Sequence, residues 1–133
     1  MRTEIFIDFD GTITDPTYGT SLPPQDGCVD TINRLYDSGN FEIIIYSCRS
    51  NPDICSPSQN KFLSSDATHL EKKWAAESAE EEMIEYLKTT GIKFHRVVPN
   101  KPHYHIIIDD RAINPSQGWS NIGDKINESI SSN

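Results

Sequence analysis

The stretch from Ile5 to Thr14 constrains this chain more than any other. It opens with an apolar, β-branched run, Ile5-Phe6-Ile7, which reads as a buried strand. It then stops at two carboxylates, Asp8 and Asp10, and at Gly11. Carboxylates at the end of a buried strand are costly unless a cation or a reaction requires them there. Strand side chains alternate, so Asp8 and Asp10 project to one side, with Phe9 opposite. Such a pair suits a hard divalent cation together with acid–base or nucleophilic chemistry. A simple Asp-Gly turn would account for the glycine. It would not account for two acids on the same side of an apolar strand.

The rest of the chain supplies a framework for that strand tip. Gly11 to Gln25 contains Pro16, Gly19, Pro23 and Pro24 and reads as a loop, with a short hairpin around Tyr18-Gly19. Asp26 is the expected N-cap of a helix that presents Val29, Ile32, Leu35 and Tyr36 on one face and stops at Gly39. Phe41 to Tyr46 is a second buried strand, ending in Ser47-Cys48-Arg49. By alternation Cys48 is expected to point away from Ser47. Asn51 to Asp66 is polar and reads as a loop, either a lid or passive surface. A long helix follows from about Thr68 to Thr89. Its expected buried stripe is Leu70, Trp74, Met83, Ile84 and Leu87, with Glu80, Glu81 and Glu82 in water. Phe94 to Val98 and Tyr104 to Ile108 are a third and a fourth strand. A last helix near Ser120 to Ile130 carries Ile122, Ile126 and Ile130 on one stripe. Trp74 and Trp119 are expected to pack rather than to offer stacking platforms.

This order predicts a single α/β domain over residues 1–133. The expected architecture is a Rossmann-like three-layer sandwich with a mostly parallel central sheet and helices on both faces. Right-handed crossovers and a central first strand would place strands two and four as its neighbours. Sites in such sheets lie beyond the carboxyl ends of the strands. Asp8 and Asp10, Ser47 and Arg49, and Asp109 and Asp110 all fall at that edge, and Lys101 enters from the connector before the fourth strand.

Four carboxylates at one edge call for a positive partner, and Mg2+ is the natural one. Asp8 and Asp109 are expected to hold it through their side chains, Asp10 through its backbone carbonyl and Asp110 through water. Lys101 would neutralise a phosphate, Ser47 would hydrogen-bond it, and Arg49 would contact it bidentately or serve in a structural ion pair. Asp8 can attack phosphorus, and Asp10 can protonate the leaving oxygen and then activate water. His103 and His105 alternate on one side of the fourth strand, but lack a third zinc ligand. Cys48-Arg49 lacks the intervening phosphate loop that a cysteine phosphatase needs.

These motifs resemble the haloacid dehalogenase-like (HAD) phosphohydrolase superfamily. The match rests on Asp8-Phe9-Asp10-Gly11-Thr12, on Ser47 after the second strand, on Lys101, and on Asp109-Asp110, in that order. The resemblance implies Asp8 as nucleophile, Asp10 as general acid–base, and the phosphatase branch rather than the dehalogenase branch. Leu22-Pro23-Pro24, the helix after it, Ser47-Cys48-Arg49 and the run from Lys101 to Ala112 are similar to a small, minimal-cap subgroup. The usual cap positions hold little here, which implies an open site. The implied function is a Mg2+-dependent phosphomonoesterase with a phosphorylated substrate. Alternatives are a phosphatase of nucleic-acid 3′ ends and a non-catalytic, receiver-like phosphate sensor.

Composition narrows the setting. A net charge of −8 weighs against a nucleic-acid-binding surface but leaves room for a local phosphate site. No apolar run reaches membrane-spanning length. Three cysteines without paired Cys-x-x-Cys spacing predict a reduced, cytoplasmic compartment.

Overall fold

The computed structural model describes residues 2–53, 57–58, 60–99, 106–108 and 118–131, and leaves out the side chains of 106, 107 and 127–131. The elements are β1 (Thr3–Asp8), α1 (Cys28–Asp37), β2 (Phe41–Tyr46), α2 (His69–Thr89), β3 (Arg96–Val98), β4 (Ile106–Ile108) and α3 (Trp119–Ser131). The fold class is α/β. The described strands form one sheet in the order β3-β2-β1-β4, and every pairing is parallel. β1 is therefore flanked by β2 and β4, the neighbours expected for a central first strand. Ile7 aligns with Ile45 on one side and Ile108 on the other, and Asp8 aligns with Tyr46. The carboxyl ends of β1, β2 and β4 lie at one edge.

Both faces of the central strands are buried, which is why they read as unbroken apolar runs rather than as alternation. Ile5, Ile7, Ile43 and Ile45 join the main core with residues of all three helices. Phe6, Ile44 and Tyr46 are buried in a smaller cluster with Val98 against it.

α1 begins one residue later than the sequence suggested. Gly27, at φ +80°, takes the capping position in place of Asp26. Cys28, Thr31, Ile32 and Leu35 are buried, with Val29 and Tyr36 half-buried against the core. α3 packs against α1 at Gly123, where a Cβ would stand 1.9 Å from a guanidinium nitrogen of Arg34. Ile122, Ile126 and Trp119 are buried as expected, while the Ile130 side chain lies outside the described residues.

The face of α2 differs from the expectation. Leu70 is 77% exposed and Trp74 is 59% exposed, with the Trp74 ring edge-on to Phe62. The buried stripe is Ala75, Ala76, Ala79, Met83, Tyr86 and Leu87. At about 100° per residue, Trp74 sits about half a turn away from Met83. Met83 and Leu87 are buried as expected, while alanines take the place of Leu70 and Trp74 on the buried face of the first half of the helix.

β3 is preceded by His95, whose backbone donates to Ile43 O and whose Nδ1 accepts from Ile43 N, both at 2.9 Å. Its ring stacks on Tyr36 at 4.5 Å. Desolvation, and then the Arg2 guanidinium, hold its pKa below the usual 6.5, against a weaker opposing effect of Glu42. A histidine with a depressed folded pKa contributes stability that is present above 6.5 and lost as pH falls through the lower folded value. Protonation at Nδ1 also removes the acceptor for Ile43 N. We expect the urea midpoint to fall between about pH 7.5 and about pH 5.5, and His95→Gln to flatten that decline. An equal decline in both proteins would show that His95 is not its source.

Candidate active site

β1 ends at Asp8, and the chain then closes a wide turn over Phe9 to Ile13. Thr14 N donates back to Phe9 O at 3.2 Å. Gly11 bends this turn at φ +72°, a conformation that costs other residues about 1–2 kcal/mol. The turn is stapled rather than loose. Gly11 N donates to Thr14 Oγ1 at 3.0 Å, and Gln25 Nε2 donates to Gly11 O at 2.8 Å and to Thr14 O at 2.9 Å. Phe9 is fully buried, edge-on to Tyr86. Asp8 and Asp10 instead line one cleft, so the same-side placement read from the sequence is found.

The exit of β2 meets that turn. Ser47 Oγ donates to Asp10 Oδ2 at 2.5 Å and accepts from Arg49 N at 3.2 Å, capping the short turn Cys48–Ser50. The Arg49 guanidinium pairs with both carboxylate oxygens of Asp10. It also lies 5.3 Å from the Phe9 ring centroid and 3.7 Å from Glu82 Oε1. The cleft encloses about 300 Å³ and is lined by Asp8, Asp10, Cys48, Arg49 and Ser58. Cys48 therefore lines the same cleft as the acids. The chain leaves the extended conformation after Ser47 and coils into the Cys48–Ser50 turn, where period-two alternation no longer applies. A larger cavity of about 460 Å³ lies beside Pro16, Pro23 and Pro24. Neither a cation nor a strand end lines it, so the smaller cleft is the better candidate.

Of the sequence-predicted site residues, Asp8, Asp10, Ser47 and Arg49 come together. Lys101, Asp109 and Asp110 lie outside the described residues, as do His103, His105 and Arg111. Among the described residues, no group of three or more His, Cys, Asp or Glu side chains gathers at metal-binding distance.

Two residues at the site were missed in the sequence. Glu82 was expected in water, yet its side chain is 21% exposed and it pairs with Lys61 at 2.7 Å as well as with Arg49. It had no distinguishing signal inside an acidic helical run. Asn60 is 1% exposed. Its Nδ2 donates to Arg49 O and Ala75 O, and its Oδ1 accepts from Phe62 N, each at 2.9 Å. It ties the loop to α2 and to the turn that carries Arg49. Asn51, Asn60 and Leu63 anchor the loop in the body, and Ser58 forms part of the cleft wall.

No family model, no curated protein and no solved structure matches the chain. Asn60→Ala removes three hydrogen bonds, one of them fully buried, and should lower the unfolding free energy by about 1–3 kcal/mol in urea denaturation. A change within about 0.5 kcal/mol would mean that water replaces the amide there.

Proposed function

We propose that this protein is a Mg2+-dependent phosphomonoesterase of the haloacid dehalogenase-like type, acting through an aspartyl phosphate. One observation carries the reading. Two carboxylates leave the central strand of a parallel sheet into a single cleft, and Ser47 and Arg49 from the neighbouring strand end close on the second of them. The two-sided burial of β1 and β2 supports the finer architecture, a three-layer Rossmann-like single domain.

The donor set fits a hard cation, since the two acids Asp8 and Asp10 line one cleft. Asp8 and Asp109 would hold Mg2+ through side chains, Asp10 through its carbonyl and Asp110 through water. The ion would supply neutralisation of the phosphate charge. Asp8 Oδ attacks phosphorus and the ester P–O bond breaks, its electron pair leaving with the alcohol oxygen, which takes a proton from Asp10. Water then attacks phosphorus, gives its proton to Asp10, and the P–O bond to Asp8 breaks, releasing phosphate and restoring both acids.

Arg49 holds Asp10 in the ligand-free protein, and its planar fork is suited to exchange that carboxylate for phosphoryl oxygens. Ser47 is already oriented by its bond from Arg49 N and can turn its hydroxyl to the same oxygens. Lys101 would add a second cation. A cytoplasmic setting fits the reduced cysteines and the phosphorylated substrate.

Asp8→Asn should reduce hydrolysis of p-nitrophenyl phosphate in Mg2+ by about a thousandfold or more, with an unchanged circular dichroism spectrum. Near-wild-type turnover in that variant would overturn the covalent mechanism. Asp10→Asn should lower turnover more than it lowers Mg2+ affinity. A protein-bound phosphate that persists for hours would favour the sensor instead.

A further inference from the structure

A second cavity adjoins the cleft and shares its wall. It encloses about 410 Å³, within the range of small-molecule sites, and meets the acid-bearing cleft at Arg49 and Ser58. Four segments build it: the loop after β1, the turn Cys48–Ser50, the loop before α2, and α2 itself. Whatever is joined to a phosphate in the first cleft has the second compartment beside it.

The wall formed by the loop after β1 is tied down by its own hydrogen bonds. Asp15 Oδ1 accepts from Thr17 N and Tyr18 N, both at 2.8 Å, and Gly19 N closes a one-bridge hairpin on Asp15 O at 2.9 Å. Tyr86 Oη donates to Leu22 O at 2.9 Å and ties the loop to α2. The charged groups are mutually compensated. Glu82 sits between Lys61 and Arg49, and Thr20 Oγ1 donates to it at 3.3 Å. The rest of the lining is mainly hydroxyl-bearing, with Tyr18 standing 65% exposed at its rim.

That lining discriminates between ligand classes. A lipid tail would need an apolar wall. A nucleobase can stack on Tyr18, but of the rest of the lining only Gly19 and Pro57 lack a hydroxyl or a charge. A second anionic group would have to displace Glu82 from both of its cations. A neutral polyhydroxy group meets each feature: its C–H face lies on the Tyr18 ring, and its hydroxyls pair with the Ser and Thr side chains and with Glu82. Resting on the phosphatase reading above, we infer that this compartment receives the leaving group and that the preferred substrate class is the phosphate ester of a neutral sugar or polyol.

The test compares kcat/KM of the full chain in Mg2+ for hexose phosphates, nucleoside monophosphates and acetyl phosphate, whose leaving group is too small to fill the compartment. Hexose phosphates should exceed nucleotides by about tenfold or more. Tyr18→Ala and, independently, Lys61→Ala should reduce the hexose phosphate value about tenfold more than the acetyl phosphate value. Equal losses on both substrates, or nucleotides as the better substrates, would overturn the inference while Asp8-dependent hydrolysis of acetyl phosphate still upheld the phosphatase reading. Absence of turnover on every ester would overturn that reading instead. A readout independent of turnover then decides the compartment: hexose phosphate should shift the NMR signals of Tyr18 and Thr20, and inorganic phosphate should not. Unshifted signals would sink the proposal.

Discussion

The contact on which the described site depends is the grip of the β2 exit on Asp10. A carboxylate just past a buried strand needs compensation, and Ser47 and Arg49 supply it with a hydroxyl and a guanidinium. That grip exists because β1 and β2 are parallel and in register up to Asp8 and Tyr46, so the two chain exits leave the sheet side by side. An antiparallel neighbour would have put its exit at the other end. The turn after β1, bent at Gly11 and stapled by Thr14 and Gln25, then brings Asp10 within reach.

From Arg49 the interactions run outward. Its guanidinium connects Asp10 to Glu82, and Glu82 connects to Lys61 and Thr20. Its backbone carbonyl is held by Asn60, which also binds α2 through Ala75 O. One residue thus joins the acid-bearing cleft, the loop before α2 and the face of α2. The alanines at 75, 76 and 79 make this possible, because bulkier side chains would keep α2 away from the Cys48–Ser50 turn. The exposure of Leu70 and Trp74 follows from the same geometry. The helix turns Ala75, Ala76, Ala79 and Met83 inward, and Leu70 and Trp74 emerge about half a turn away.

Reading the chain without its structure succeeded where the signal is local. β2 was placed residue for residue, because Phe41 to Tyr46 is an unbroken apolar-rich run between Gly39-Asn40 and Ser47. The Tyr18-Gly19 hairpin was legible in its turn residues. The cap of α1 was displaced by one residue because Asp26 and Gly27 are both acceptable caps, and packing of Cys28 into the core selects the later start.

The sequence by itself determined the α/β order and the paired acids at a strand tip. Both are written in spacings of a few residues: apolar runs, helical periodicity, and Asp-x-Asp-Gly at an abrupt stop. Only the tertiary structure decided which groups meet those acids. Ser47 and Arg49 reach Asp10 across 37 and 39 residues of chain, and Thr20 reaches Glu82 across 62. Asn60 and Glu82 look like any polar loop residue and any helical acid until the sheet and α2 enclose them. The physical reason is that a polar side chain's role depends on which distant partner desolvates and pairs it, and that partner is chosen by strand register and helix packing, not by neighbours along the chain.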